Sequence, residues 1–314
     1  MFVRVYFHNV ANFMDMFAQM LSKGGLSLDR LNNFCRIAEA GGITKAAGSD
    51  PGKQSLYSRQ IKELETFFGV ELKVRRGKGI VLTDAGQQLA RLTRAHLIGL
   101  ADFQRIAQNM PQSISIGSGN SVIEWILMPR MAELSKALPK ARFECISDRT
   151  RVIVSQLLDL TLDIGIIRDD AVQRPLKSAP LTSVTYSLFV PKKLSPGVNA
   201  ENLRKRLAQI PLATSMGGTF REALEAGAGK LGWPLDIVMS CSSFTQAARL
   251  VLSGDYGGVL PGIARVDFDP SRIVEIPIPF LKNYSRKLCV AWNPRLIEVR
   301  PFIKKATESL MAES

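Results

Sequence analysis

The stretch LDRLNNFCRIAEAGGITKAAGSDPGKQSLYSRQIKELETFFGVELKVRRGKGIVLT, from Leu28 to Thr83, decides the fold of the N-terminal part. Ser27 is placed to cap a helix whose apolar positions Leu28, Leu31, Phe34, Cys35 and Ala38 follow the 3.6-residue period, and Gly41-Gly42 ends it. A second short helix is expected from about Ile43, its small pair Ala46-Ala47 letting another helix pack closely. Asp50-Pro51-Gly52 is turn chemistry. A third helix is predicted from about Lys53 to Phe68, with Tyr57, Ile61, Leu64 and Phe68 facing inward and Gly69 as its stop. Its other face offers Gln54, Ser55, Ser58, Arg59 and Lys62. Glutamine pairs bidentately with adenine, arginine with guanine, and serine bonds a base or a phosphate. Glu71 to Thr83 reads as a β-hairpin with Arg75, Arg76 and Lys78 at its tip around Gly77 and Gly79, side chains that suit phosphates or a minor groove. A lone polar helix face is ordinarily just solvated. The short helix and tight turn before it and the basic hairpin after it make a winged helix-turn-helix DNA reader the expectation.

Outward from that segment, Asp84 to about Asn109 is predicted as one long helix. Ala85, Leu89, Leu92, His96, Gly99, Phe103 and Ile106 recur along it at offsets of 4 and 3, a 3.5-residue seam of the kind that pairs helices. Between a DNA reader and a second unit, a dimer seam is the expected use, with Pro111 marking the boundary.

With these motifs in order, residues 28–110 resemble the LysR-type transcriptional regulators. The resemblance rests on GGITKAA, QSLYSRQIKELE, GVELKVR and LTDAG, which follow one another without gaps. It implies that Gln54, Ser55, Ser58 and Arg59 take DNA-facing positions and Arg75 the wing position. Two residues depart from the family pattern. Asp50 stands where a leucine usually closes the second helix onto the core, and Lys73 where the wing usually carries a phenylalanine.

From Ser113 the pattern turns to strands alternating with helices, the signal of an open α/β sheet. Strands are predicted at 113–117, 142–146, 162–167, 183–190, near 211–214 and at 287–292. Helices are predicted at about 122–137, 152–160, from Phe220 and at 299–311. This order resembles the effector domain of the same family, which is similar to type-II periplasmic binding proteins, with crossings between subdomains placed near Leu181–Val184 and Asn283–Arg286. DLTLDIGII and LVLSGDYGGVLP carry that part of the likeness. Two turns, Ser118–Ser121 and Ser215–Thr219, each end a strand and open a helix, where backbone N–H groups and hydroxyls receive anions such as carboxylates. The candidate effector-binding residues are Ser118, Asn120, Ser121, Thr150, Arg168, Ser215, Gly217, Thr219 and Phe244. Ordinary helix capping is the plainer reading of any single one of them.

The expected architecture is multi-domain: an extension (1–26), an α-rich winged helix-turn-helix (27–83), a linker helix (84–110) and a two-subdomain α/β effector domain (111–314). Subdomain I takes 113–182 and 286–314, and subdomain II takes 183–285. The net charge of +13, with +6 over residues 1–112 and +7 beyond, fits a polyanion without locating it. Cys35, Cys145, Cys241 and Cys289 form no CxxC pair and read as reduced thiols of a cytoplasmic protein. His8 and His96 are the only histidines, so no metal site, cofactor or Ser-His-Asp relay is expected. Gly117-Ser118-Gly119 begins a dinucleotide fingerprint, but Val122 stands where its third glycine belongs. No apolar run approaches a membrane span. MFVRVYFHNVANFMDMFAQM is apolar but interrupted by Arg4, His8, Asn9, Asn12 and Asp15, so it reads as a disordered or weakly docked extension rather than a signal peptide, with Met20 as an alternative start. The expected partners are double-stranded DNA, a small anionic effector, a second copy or four copies of the chain, and RNA polymerase. The alternatives are a solute-binding protein or a small-molecule enzyme built on the C-terminal α/β domain.

Overall fold

Ser27 does open a helix, α1 (Leu28–Ala40): its hydroxyl accepts from the Arg30 N–H at 3.2 Å, and Gly41 closes the helix in the left-handed conformation. The computed structural model describes residues 18, 22, 24–76, 79–216 and 218–312. The expected N-terminal extension falls almost wholly outside these residues, as do Lys78 and Gly217, and the Arg76 side chain is outside them too. The chain divides into two units, Met1–Gln104 and Arg105–Ser314.

In the first unit, α2 (Ile43–Ala47) and α3 (Pro51–Phe68) follow α1. Asp50 is the N-cap of α3, its carboxylate accepting from the Lys53 N–H at 3.1 Å, with Pro51 at the first helical position. The helix therefore begins two residues before the predicted start, and the departure at Asp50 is a cap. Asp50→Ala should cost this unit about 1 kcal/mol, read as faster hydrogen exchange in the first turn of α3, whereas Asp50→Asn, which keeps the acceptor, should match the parent. Phe34, Ile37, Tyr57, Ile61, Leu64 and Leu72 fill the core. The inward stripe of α3 ends on Phe67, 9% exposed, rather than on the expected Phe68, which is 37% exposed and meets the Phe67 ring edge-on. After Leu64 the helical period brings the third residue, not the fourth, back to the buried side.

Strands β1 (Lys73–Arg76) and β2 (Gly79–Leu82) form the antiparallel wing, with Arg75 opposite Ile80. The Glu65 carboxylate on α3 accepts from the Leu72 and Lys73 N–H groups at 3.0 and 3.3 Å. The root of the wing is thus held by backbone donors, which a lysine at position 73 leaves intact. Thr83 opens α4 (Asp84–Ala107) by accepting from the Gly86 N–H, and a Cβ on Gly86 would stand 2.2 Å from the Leu72 carbonyl oxygen, so only glycine fits that crossing. The predicted seam of α4 divides. Ala85 and Leu89 pack into the core of their own unit, while Leu92, Phe103 and Ile106 stand exposed together with Leu100.

The second unit holds two five-stranded sheets. The first, ordered β4-β3-β5-β12-β6, uses β3 (Gln112–Ser118), β4 (Ala141–Ser147), β5 (Ile164–Arg168), β6 (Lys177–Val184) and β12 (Arg286–Trp292). The second, ordered β11-β7-β10-β8-β9, uses β7 (Tyr186–Pro191), β8 (Leu212–Ser215), β9 (Ile237–Cys241), β10 (Gly257–Pro261) and β11 (Ile273–Pro277). In each, one strand next to the edge, β3 or β8, has two parallel neighbours, and the two strands beyond them are joined by antiparallel pairings. The run predicted as one strand at 183–190 is two: β6 ends in the first sheet at Val184, and β7 starts in the second at Tyr186. The chain returns to the first sheet at Arg286. Strands β9, β10 and β11 lie outside the predicted set.

The helix expected at 122–137 is a helical turn (Asn120–Val122), a π-helical turn (Ile123–Leu127) and α5 (Met128–Ala137) in unbroken succession. Helices α6 (Thr150–Leu158), α7 (Leu203–Leu207), α8 (Gly218–Leu231) and α9 (Phe244–Ser253) cover the sheets. The predicted closing helix is two, α10 (Pro294–Val299) and α11 (Phe302–Met311), broken at Arg300-Pro301. No helix among the described residues is long and apolar enough to cross a membrane, and no three His, Cys, Asp or Glu side chains among them converge to hold a metal. Cys35, Cys241 and Cys289 are buried thiols, and burial pushes Cys35 and Cys289 up to about 11.

Candidate nucleic-acid interface and ligand cleft

On α3 the inward positions are spent on Tyr57, Ile61, Leu64 and Phe67, which leaves Ser55, Ser58, Arg59 and Lys62 exposed along the opposite side. The Arg59 side chain is 72% exposed and lies 3.8 Å from Glu63, which Arg30 already holds at 2.6 Å. Gln54 is half-buried and its amide donates to the Gly48 carbonyl at 3.2 Å, so it reaches outward only by releasing that bond. Arg75 is exposed on the wing. Lys53, exposed at the start of α3, adds a cation that the sequence reading passed over.

In the second unit a cavity of about 1070 Å³ lies between the two sheets. Its position follows from the topology, because open α/β sheets gather ligands outside the carboxyl ends of their strands. Ser118, Ser147 and Arg168 end β3, β4 and β5, while Ser215 and Pro261 end β8 and β10, and all five line it. The crossing strands supply Val184, Tyr186, Arg286 and Leu288. Every described member of the candidate effector set is on this wall: Ser118, Asn120, Ser121, Thr150, Arg168, Ser215, Thr219 and Phe244.

Their hydrogen bonds differ. Ser118 is buried and its hydroxyl donates to the Ile166 carbonyl at 2.6 Å, which commits it to the sheet. Asn120 donates across the cleft to the Thr245 hydroxyl at 2.8 Å, and Trp125, in the π-helical turn, donates across to Asp267 at 2.7 Å. Thr150 is the first residue of α6, two residues ahead of the predicted start at 152, and Phe244 starts α9 after the Ser243 cap.

Thr219 is where the cleft chemistry concentrates. Its hydroxyl accepts from Arg168 Nη1 at 3.3 Å and from Arg286 Nη2 at 3.2 Å. Arg168 also has Asp170 at 3.3 Å, whereas no carboxylate pairs with Arg286 among the described residues. The Arg286 guanidinium lies 5.8 Å over the Tyr186 ring, which stacks on Phe220 at 4.3 Å; Phe220 in turn meets Phe244 edge-on. Burial pushes the Tyr186 phenol up to about 12, against the opposing pull of Arg286. The described lining holds Arg149, Arg151, Arg168 and Arg286 against the single acid Asp148. Arg286 and Tyr186 escaped the sequence reading: it marked the neighbourhood of Arg286 as a crossing point but gave no reason for that strand to start on a cation.

Two family models match the chain: "Bacterial regulatory helix-turn-helix protein, lysR family" over residues 28–87 and "LysR substrate binding domain" over residues 107–304. Among curated proteins, the transcriptional regulator BbuR of Bordetella bronchiseptica is 26% identical over 262 residues, 79% of this chain and 80% of BbuR. The regulator DgdR of Burkholderia cepacia is 29% identical over 296 residues, 88% of this chain and 96% of DgdR. Among solved structures, a full-length OxyR variant of Pseudomonas aeruginosa superposes with a TM-score of 0.61 at 20% identity, covering 91% of this chain and 94% of that one, a likeness of fold.

Proposed function

The chain belongs to the LysR family of bacterial regulatory helix-turn-helix proteins, as a transcriptional regulator with an effector-binding domain and not an enzyme, and from that premise we propose how its residues divide the work. The stand-alone solute-binding and enzyme alternatives fall with the family match. Helix α3 enters the major groove, with Gln54, Ser55, Ser58, Arg59 and Lys62 facing bases and phosphates, while Arg75, Arg76 and Lys78 of the wing hold the backbone. The exposed ridge Leu92, Leu100, Phe103 and Ile106 on α4 is the dimer seam, so two recognition helices address successive major grooves. The regulator works in the cytoplasm as a homodimer or homotetramer and meets RNA polymerase at the promoter.

The cleft between the sheets takes a small anionic effector. The observation that carries this is the convergence of Arg168 and Arg286 on Thr219 in a cavity whose lining holds four arginines and one acid. An anion held there contacts both sheets, so its affinity differs between arrangements of the two lobes. That difference is what shifts the assembly on DNA. The test has two parts. Duplexes selected from random DNA by the full chain should carry paired half-sites about 10 bp apart or a multiple of it, and single half-sites would refute the dimeric docking. A chain cut at Pro111 should sediment as a dimer at micromolar concentration, and a monomer would remove α4 as the seam.

A further inference from the structure

The cleft distinguishes among anions. We propose that Arg286 is the specificity-determining residue of this site and that the effector is a monocarboxylate carrying an apolar, flat body. This rests on the reading of the cleft as an anion site and goes on to name the anion.

Three observations carry it. The first is charge. Arg168 already has Asp170 at 3.3 Å, so the pair of guanidinium groups at Thr219 is left with one uncompensated positive charge, on Arg286. One negative charge at Thr219 balances it. The second is donor geometry. Arg286 spends Nη2 on Thr219, and its Nε is buried without a hydrogen-bond partner. A planar guanidinium suits the two-oxygen face of a carboxylate, and its own plane is held from behind by the Tyr186 ring. The third is the remainder of the wall. Tyr186, Phe220 and Phe244 form one aromatic cluster, and Pro261, Ile263 and Met216 line the same cavity. The cavity of about 1070 Å³ is slightly larger than the roughly 300–1,000 Å³ typical of ligand pockets. A bare inorganic ion leaves that apolar wall facing water, whereas a carboxylate with an apolar body covers it.

The test is calorimetric binding of four probes to the full chain at neutral pH: phenylacetate, its neutral amide phenylacetamide, acetate and inorganic phosphate. Phenylacetate should bind, and the amide, acetate and phosphate should each bind about tenfold or more weakly. Arg286→Met should weaken phenylacetate about ten- to a hundredfold, and Arg286→Lys should restore only part of the loss, because an ammonium lacks the planar fork. The melting temperature of each variant, followed by tryptophan fluorescence, checks folding. Should Arg286→Met fail to fold, Thr219→Val removes the shared hydroxyl and should also weaken phenylacetate. Phosphate binding as tightly as phenylacetate overturns the monocarboxylate and leaves the anion site standing. Amide binding equal to acid binding, or a folded Arg286→Met that binds as the parent does, overturns the role of Arg286. Binding of none of the three anions overturns the anion site itself.

Discussion

Arg300→Met should destabilise the second unit by about 3–5 kcal/mol. Arg300 and Asp163 form an ion pair with side chains only 7% and 8% exposed, so neither charge has water to fall back on. Asp163 also accepts from the backbone N–H of Ser115 at 2.8 Å and from its hydroxyl at 3.0 Å. Arg300 donates to the Ser113 carbonyl at 2.6 Å and stacks over Phe302. The pair therefore ties the break between α10 and α11 to β3 of the first sheet. Methionine keeps much of the volume but leaves a carboxylate buried without its cation. The loss follows from that stranded charge rather than from the worth of the pair, so adding Asp163→Asn to Arg300→Met should recover part of it: the amide is neutral and its oxygen still accepts from Ser115. Trp125, Trp233 and Trp292 are the only tryptophans and all lie in the second unit, so guanidinium unfolding of the full chain followed by tryptophan fluorescence reads this unit alone. A loss under about 1 kcal/mol would mean that Asp163 reaches solvent and that the pair is ordinary surface chemistry.

That network was invisible in the sequence, and the reason is distance along the chain. The helix-turn-helix was legible because its signals are local: Ser27 caps within three residues, Gly41 and Gly69 stop helices with a positive φ, and the apolar period of α3 runs within one element. Where local signals compete, the reading slipped by one residue, as at Phe67 and Phe68. Asp50 read as a departure from a family pattern because capping depends on the start of the next helix, which had been placed two residues late. In the second unit the strands alternating with helices gave the class of fold. The division of 183–190 between two sheets did not follow from it, because a strand changing sheets at Thr185 keeps the same β-rich composition on both sides. The candidate cleft residues were legible because they end strands or open helices, positions that turn chemistry marks. Arg286 meets Thr219 from 67 residues away, and Arg300 meets Asp163 from 137, pairings that no window of the sequence contains.

Arg59→Ala should weaken binding to the cognate duplex by about 1–3 kcal/mol, roughly five- to 150-fold, and should relax selectivity at one base position. On the outward stripe of α3, Arg59 combines exposure with a planar fork that matches guanine, and its tether is slight. Glu63 sits 3.8 Å away and is already held by Arg30 at 2.6 Å, so turning Arg59 into a groove forfeits an exposed pair of small value. Gln54 starts from a different position, since reaching a base costs its bond to the Gly48 carbonyl, and its truncation should therefore lose less. Lys62, one turn further along, separates base reading from charge. Lys62→Ala should weaken all duplexes about equally and reduce the slope of log affinity against log salt by about 1, leaving base preference unchanged. The comparison is made by fluorescence anisotropy on the selected duplex and on single-base variants across a salt series. Unchanged affinity of Arg59→Ala for the selected duplex, or a loss equal on every sequence, would take Arg59 out of base recognition and leave it a phosphate contact like its neighbour.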